Sequence, residues 1–188
     1  MALEYGQIPG VDVFNTFAPV VKSITVRLLF ALAFIFNMHV HQLDVSNAYC
    51  CAHIEGNVYM KPTPDSVLPS GHCFKLERSL YGLRNSPRSW WKHPHKYIKS
   101  LHFTPCILEP CLYYTIYKGE RMYLIDDIIV ACTNVDYVRE VKTRFCRVFD
   151  MSDMGELEHF LNVHVTRATS FFLLLDQTVY ASKVLEKV

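Results

Sequence analysis

The amino-acid sequence predicts an α+β fold. Segments with helical spacing of apolar residues and segments with strand-like alternation are mixed along the chain, without the regular strand–helix alternation that builds parallel sheets. A Lys-Gly turn between two runs rich in aromatic and aliphatic residues predicts a hairpin. With 188 residues, of which 51% are apolar, the chain can bury a sizeable core as one domain or two small ones.

The first predicted elements are a helix and two strands. Residues 20–40 (VVKSITVRLLFALAFIFNMHV) predict a helix that Ser23 can cap and that is apolar enough to be buried on most sides. Residues 39–45 (HVHQLDV) alternate like a strand. Residues 57–62 (NVYMKP) predict a second short strand, which the prolines stop.

The middle of the chain predicts a loop followed by a helix. Residues 63–71 (TPDSVLPSG) carry the proline, serine and glycine residues typical of turns. Ser86 is the predicted N-cap of the helix, and Pro87 takes the first helical position. Pro94 falls inside this helix, where a proline costs ~3 kcal/mol or more.

The second half predicts a sheet followed by further helices. Residues 111–133 (CLYYTIYKGERMYLIDDIIVACT) predict a strand, the Lys-Gly turn, a second strand, a turn at the two aspartates and a third strand. Residues 134–149 predict an amphipathic helix with Asn134 as its cap. Residues 171–188 predict a strand and a final helix.

One segment carries the positive charge. The net charge is +1, but residues 75–99 contain seven basic residues and one acid and so carry +6, which leaves −5 for the rest. The basic residues of this basic segment are Lys75, Arg78, Arg84, Arg88, Lys92, Lys96 and Lys99. Four aromatic residues, Tyr81, Trp90, Trp91 and Tyr97, are interleaved with them. This pattern suits a nucleic-acid backbone, and a solvated helix face is the alternative interpretation.

Composition argues against several classes of protein. The seven cysteines form no C-x-x-C pair and the nine histidines have no zinc-finger spacing, so a structural zinc site is not expected. Reduced thiols fit a cytoplasmic or nuclear protein. The longest apolar run, residues 28–36, is too short to cross a bilayer, and no signal peptide is recognisable. We therefore expect no membrane association.

Two adjacent aspartates, Asp126 and Asp127, interrupt an apolar strand-forming stretch (MYLIDDIIVAC). Buried carboxylates are costly without a partner, a proton or a metal. Asp44 ends another apolar strand and is the candidate partner, since carboxylates on neighbouring strands could hold two Mg²⁺ ions ~4 Å apart. From these residues alone, a solvent-facing Asp-Asp hairpin turn stays open as the alternative.

A series of motifs resembles the reverse transcriptase of copia-type LTR retrotransposons. In chain order these are VDVFNTFAPVVKSITVRLLFALA, HQLDVSNAY, VYMKP, KLERSLYGLRNSPRSW, DDIIVA and MGELEHFLNVHV. They span almost the whole chain, and SLYGLRNSPRSW is the most specific of them. The resemblance implies that residues 1–188 form a right-hand polymerase palm with partial fingers, its antiparallel sheet packed on helices, with the thumb and RNase H absent.

The resemblance also implies a role for each site residue. Asp44 and Asp126 would bind the two Mg²⁺ ions, with the backbone carbonyl of Val45 as a further ligand and Asp127 as electrostatic support. Tyr49 would lie under the sugar of the incoming nucleotide and clash with a 2′-hydroxyl. Core packing is the alternative role of Tyr49, and both roles can hold at once. The reaction implied is attack of a primer 3′-hydroxyl on the α-phosphate of a dNTP, with pyrophosphate leaving.

The remaining predicted contacts involve the nucleotide and the template–primer. By the same resemblance, the backbone N–H groups of Asn47 and Ala48 would face the triphosphate, and the loop that contains Tyr81 and Gly82 would touch the nucleotide and template. Arg84 and Arg88 would either contact phosphate or only make the surface more soluble, and both interpretations stay open. The expected partners are dNTP and an RNA or DNA template–primer.

The chain departs from the family pattern at four places. MALEYGQIPG lacks the basic strand expected there, Asn162 replaces a glycine, and Pro94 interrupts a helix. About three residues are missing between Gly119 and the aspartate pair, which Leu124 and Ile125 precede instead of an aromatic residue and valine.

Loss of an odd number of residues from a strand would turn the aspartates to the other face of the sheet or move them along it. This would not happen if the missing residues came from the Lys118-Gly119 turn. We therefore expect a degenerate, inactive polymerase fragment. The alternatives are an active polymerase and a co-opted, non-catalytic nucleic-acid-binding or interaction module.

Overall fold

A computed structural model describes residues 7–8, 10, 13, 15–63, 65–126, 128–160, 163–169 and 172–186. The helices are α1 (Ser23–Ile35), α2 (Ala48–Cys51), α3 (Ser86–Ser100), α4 (Val135–Cys146) and α5 (Thr178–Leu185). The first strands are β1 (His39–Val45), β2 (His53–Met60), β3 (Phe74–Arg78), β4 (Thr104–Pro105), β5 (Leu112–Tyr117) and β6 (Glu120–Ile125). The others are β7 (Ile129–Cys132), β8 (Met151–Glu156), β9 (His159–Phe160), β10 (Val163–Thr169) and β11 (Phe172–Asp176). This mixture of helices and antiparallel strands confirms the α+β prediction.

The chain divides into two compact units. The first unit comprises Met1–Val20 and Val45–Pro105, and the second comprises Val21–Asp44 and Cys106–Val188. In the first unit, β2 pairs with β3 in antiparallel fashion, with Val58 opposite Leu76. The short helix α2 and the longer α3 belong to the same unit.

The second unit contains the larger sheet and most of the core. Within this unit the strands of the sheet lie in the order β5-β6-β7-β1-β8, and a separate sheet has the order β11-β10-β9. Helix α1 contributes Val26, Leu29, Phe30 and Ala33 to a buried cluster, in which they join Ile125, Ile129 and Ala131 of the sheet. All four residues of β7 are buried, as expected for a central strand.

Helix α1 is capped by a residue far away in the sequence, and the prediction of Ser23 as its cap is wrong. Lys22 is the N-cap residue, and its side chain makes no capping hydrogen bond. Instead, the buried Glu109 carboxylate accepts hydrogen bonds from the Lys22 N–H (3.3 Å) and the Thr25 hydroxyl (3.1 Å). A carboxylate there also suits the positive end of the helix dipole.

Helix α3 begins one residue earlier than predicted. Its N-cap residue is Asn85, and Ser86 is already helical. The Ser86 hydroxyl donates to the Leu80 carbonyl at 2.6 Å, so it is committed to the preceding loop and not to the helix N–H groups. Pro94 is buried and does not end the helix, which continues to Ser100.

Several other predictions are confirmed or extended. The Asn134 side chain caps α4 by accepting a hydrogen bond from the Asp136 N–H at 2.9 Å. The strand and final helix predicted after residue 171 are present as β11 and α5. Strands β3, β4, β8, β9 and β10 and helix α2 were not predicted. No described helix is both long and apolar enough to span a membrane.

Candidate active site

The turn between β6 and β7 carries the first aspartate of the predicted pair. Ile125 pairs with Ile129 and closes this hairpin, and half-buried Asp126 is the first residue of the turn. The Asp126 N–H donates to the Cys111 carbonyl at 3.0 Å, which fixes the backbone where the turn begins. The second predicted aspartate, Asp127, lies outside the described residues, as does Asn162.

Strand β1 brings Asp44 to the same end of the sheet. Gln42 pairs with Ile129, and the Leu43 N–H donates to the Ile128 carbonyl at 3.0 Å. Asp44 is the next residue along β1 and is exposed, whereas Leu43 is buried. Strand β1 neighbours β7, and β7 neighbours β6. The register therefore places Asp44 and Asp126 at the same end of these strands, although 82 positions separate them in sequence.

The turn also contains an unusual backbone conformation. Ile128 has a φ of 53° and is almost completely buried. A β-branched residue rarely adopts a left-handed conformation, which costs of order 1–3 kcal/mol and is often found at functional sites. The strain is held in place because the Ile128 carbonyl is bonded to β1 and its side chain is packed.

The β5–β6 hairpin is as short at its tip as a regular hairpin allows. Tyr117 pairs with Glu120 across the two-residue turn Lys118-Gly119, and both turn residues have positive φ (50° and 87°). From there the pairing is regular to Leu112 and Ile125. Strand β6 therefore runs into the aspartate turn without a bulge.

The segment after Asp44 forms a tight turn and a short helix in the first unit. Asn47 has a left-handed conformation (φ 50°, ψ 47°) and precedes α2. Tyr49 of α2 contacts Tyr81, with ring centroids 4.6 Å apart and the planes inclined at 44°. The structure thus brings together two of the residues assigned to the nucleotide.

The loop before α3 is held by contacts within the same unit. Gly82 has a φ of 90°, which favours glycine. The Arg84 N–H donates to the Gln7 side-chain oxygen at 2.8 Å, and Arg88 donates from its guanidinium to the Phe17 carbonyl at 2.9 Å. The Arg88 side chain therefore has an internal role, and the Arg84 side chain is half-buried.

The whole chain matches one protein family. The family described as "Reverse transcriptase (RNA-dependent DNA polymerase)" matches residues 1–188. The chain belongs to this reverse transcriptase family. No solved structure matches it.

Curated relatives of this reverse transcriptase domain are transposon proteins. The retrovirus-related Pol polyprotein from transposon TNT 1-94 of Nicotiana tabacum is 30% identical over 97% of this chain and 14% of its own length. The corresponding polyprotein from transposon RE1 of Arabidopsis thaliana is 29% identical over 89% of this chain and 12% of its own length. The putative transposon Ty5-1 protein of Saccharomyces cerevisiae is 23% identical over 75% of this chain and 47% of its own length. The chain thus spans about an eighth of the length of the plant relatives.

Four of the seven basic residues of the basic segment lie on α3 of the reverse transcriptase domain. The positions of Arg88, Lys92, Lys96 and Lys99 are spaced four, four and three residues apart and so share one helix face. Lys92 forms a salt bridge with Glu55, whereas Lys96 and Lys99 are exposed. Among the basic residues of α3, the exposed ones therefore lie in its C-terminal half.

A polar cluster around a buried lysine in the second unit of the reverse transcriptase domain was missed by sequence reasoning. Lys142 of α4 is 6% exposed, and its ammonium lies 2.5 Å from the Asp153 carboxylate and 3.0 Å from Nδ1 of His41. Burial and the neighbouring ammonium lower the pKa of His41. Burial alone would raise the pKa of Asp153, but hydrogen bonds from Lys142 and the Gly155 N–H lower it. The only sequence signal was a lysine among the buried positions of an amphipathic helix.

Proposed function

We propose that this chain is the palm, with part of the fingers, of an RNA-directed DNA polymerase, and that Asp44, Asp126 and Asp127 form its nucleotidyl-transfer site. The observation that supports this proposal is the sheet register, which brings the ends of β1 and β6 to one edge although the two aspartates are far apart in sequence. Family membership supports the reaction class.

The donor set fits Mg²⁺. Asp44 offers an exposed carboxylate and Asp126 a half-buried one, and Val45 adds a backbone carbonyl next to Asp44. Hard oxygen ligands of this kind suit Mg²⁺. In the part of the chain that the structure describes, no three histidine, cysteine or acidic side chains form a metal-binding group, and Asp127 is the candidate third member. Two bound Mg²⁺ ions would neutralise charge on the reacting phosphate and activate the primer hydroxyl.

The residues after Asp44 would hold the nucleotide. Asn47 and Ala48 would present backbone N–H groups to the triphosphate, and Tyr49 would lie beneath the sugar. Tyr81 and Gly82 would touch the nucleotide from the loop before α3. The template–primer, of RNA or DNA, would lie against Arg84 and the exposed lysines of α3.

We further propose that this chain alone does not extend a primer. Leu124 and Ile125 stand before the aspartate pair in place of the aromatic residue and valine of the family pattern. The short β5–β6 tip leaves the sheet register intact, so we expect metal binding to survive the loss of polymerase activity.

The test combines primer extension with metal binding. The unaltered chain, with an RNA template, a DNA primer, dNTPs and Mg²⁺, should give no extension, while electron paramagnetic resonance should detect Mn²⁺ binding that Asp44→Asn weakens. Adding three residues at the Lys118-Gly119 turn should not restore extension, whereas adding a basic N-terminal strand as well should. Extension by the unaltered chain that Asp126→Asn stops would show that the chain is an active polymerase. A Mn²⁺ affinity that is the same in the unaltered chain and in Asp44→Asn would refute the metal site.

A co-opted nucleic-acid-binding module is the second candidate function, and the exposed lysines of α3 favour it. This second function predicts that Asp44→Asn leaves template–primer binding unchanged. It also predicts that no variant with the added turn residues or the added basic strand extends a primer. The polymerase proposal predicts recovered synthesis that Asp44→Asn abolishes.

A further inference from the structure

The contact between Tyr49 and Tyr81 joins two segments that lie 32 positions apart. Their ring centroids are 4.6 Å apart, within the range of favourable aromatic pairs. Tyr49 is half-buried, and Tyr81 is 44% exposed. The pair is therefore packed together but still accessible to a ligand.

The helix that carries Tyr49 is fixed to the segment just before Tyr81. The Ser79 N–H donates to the Ala52 carbonyl at 2.9 Å, and the Arg78 guanidinium donates to the Cys51 carbonyl at 3.1 Å. Ala52 and Ser79 are completely buried. These bonds hold the end of α2 against the start of the loop.

The loop itself is fixed on both sides of Tyr81. The Leu80 carbonyl accepts hydrogen bonds from the Ser86 hydroxyl at 2.6 Å and from the Leu83 N–H at 3.4 Å. Gly82 provides the positive φ that closes the turn. Because the backbone on either side of Tyr81 is fixed, its ring has a defined position against Tyr49.

We propose that Tyr81 is a positioning residue for sugar selection, which holds the Tyr49 ring where it excludes a ribose 2′-hydroxyl. This inference rests on the proposed function, in which Tyr49 lies beneath the sugar of the nucleotide. A steric filter discriminates only when its ring cannot rotate away, and Tyr81 limits that rotation from one side. The Tyr81 ring, and not its hydroxyl, performs this role.

Nucleotide binding in the absence of chemistry tests the proposal. The full chain, with an RNA template, a DNA primer and Ca²⁺ in place of Mg²⁺, is titrated with dATP and with ATP opposite a template uracil. The readout is the ratio of the ATP to the dATP dissociation constant. Tyr81→Ala should lower this ratio roughly two- to tenfold, the range expected for removal of one aromatic pair. Tyr81→Phe should leave it unchanged.

Three further variants separate positioning from a direct or purely structural role. Tyr49→Ala should lower the ratio at least as far as Tyr81→Ala, and the double variant should lower it no further than Tyr49→Ala alone. Tyr59→Ala, which removes an exposed tyrosine of β2, should leave the ratio unchanged.

Two results would overturn the proposal in distinguishable ways. A ratio that responds to Tyr49→Ala but not to Tyr81→Ala, in variants with unchanged circular-dichroism melting curves, refutes the role of Tyr81 alone. Failure of the unaltered chain to bind dATP in the ternary mixture refutes the proposed nucleotide site and this inference together.

Discussion

The ammonium group of Lys142 in α4 lies 3.0 Å from Nδ1 of His41 in β1. Because the ammonium can only donate, Nδ1 must accept, and His41 must be neutral for this bond to form. The His41 ring also lies in the field of His39, which opposes its protonation, and of Glu156 and Asp153, which favour it. The cluster ties α4 and β8 to β1, the strand that carries Asp44.

The first prediction is a loss of stability in mild acid. The folded-state pKa of His41 lies below its ordinary value of 6.5, so the unfolded chain binds the proton more readily. Stability is fully present above about pH 6.5 and falls as the pH drops below it. Thermal melting between pH 7.5 and 5 should show this fall, and His41→Gln, which keeps an acceptor and cannot titrate, should reduce it. His72→Gln, at an exposed position, should change nothing; an equal fall in His41→Gln would contradict the assignment.

The second prediction concerns the long-range cap of α1. Glu109→Ala removes the acceptor of the Lys22 N–H and the Thr25 hydroxyl and should cost about 1–2 kcal/mol of unfolding free energy. Glu109→Gln keeps one acceptor and should cost less. Urea unfolding measures both variants. Glu77→Ala, at an exposed position of β3, is the matched control, and an equal effect there would show that Glu109 has no special role.

The third prediction concerns the β5–β6 turn. Gly119 has a φ of 87° and no neighbouring atom within 4 Å of an added Cβ, so a substitution there acts through backbone strain alone. Gly119→Ala should destabilise the chain by roughly 1 kcal/mol, whereas Gly119→Asn should cost less because asparagine tolerates positive φ. Thermal melting compares the two. Equal melting temperatures for the alanine and asparagine variants would show that this turn is not strained.

The fourth prediction concerns nucleic acid. Reversing Lys96 and Lys99 to glutamate should weaken binding to single-stranded RNA and DNA alike and lower the salt dependence of log K by about one unit for each phosphate that is no longer neutralised. Fluorescence anisotropy at several salt concentrations measures both quantities. Lys183→Glu, on exposed α5, is the control. Binding that is insensitive to salt, or unaffected by the α3 reversals, would exclude this face.

Local signals predicted the parts of the fold that local interactions determine. The Lys118-Gly119 hairpin and the Asn134 cap were predicted because each depends on residues within a few positions. Ser86 was assigned to the wrong helix position because its hydroxyl bonds to Leu80, a choice that residue type does not reveal. The cap of α1 could not be predicted, since Glu109 and Thr25 are 84 positions apart.

The same limit applies to the candidate site. Asp44 and Asp126 were selected by their resemblance to family motifs, because an Asp-Asp turn has the same local pattern as a solvent-facing hairpin. The contact between Tyr49 and Tyr81 and the bond between Lys142 and His41 depend on long-range packing. The roles of Asp44, Asp126, Tyr49 and Tyr81 at the site remain predictions, which the experiments above test.

Because the turn at Lys118-Gly119 has only two residues, a deletion there should disturb the fold of the encoded protein more than an insertion does. Further in-frame deletion of a codon there would have to be taken from the paired residues, and a one-residue slip would turn the side chains of one strand to the opposite face. Added codons would only lengthen a loop that points away from the ladder, at a small entropic cost. The turn of this hairpin therefore has its minimum length. Among transposon copies that accumulate mutations freely, insertions at this turn should outnumber deletions in the chains that still fold.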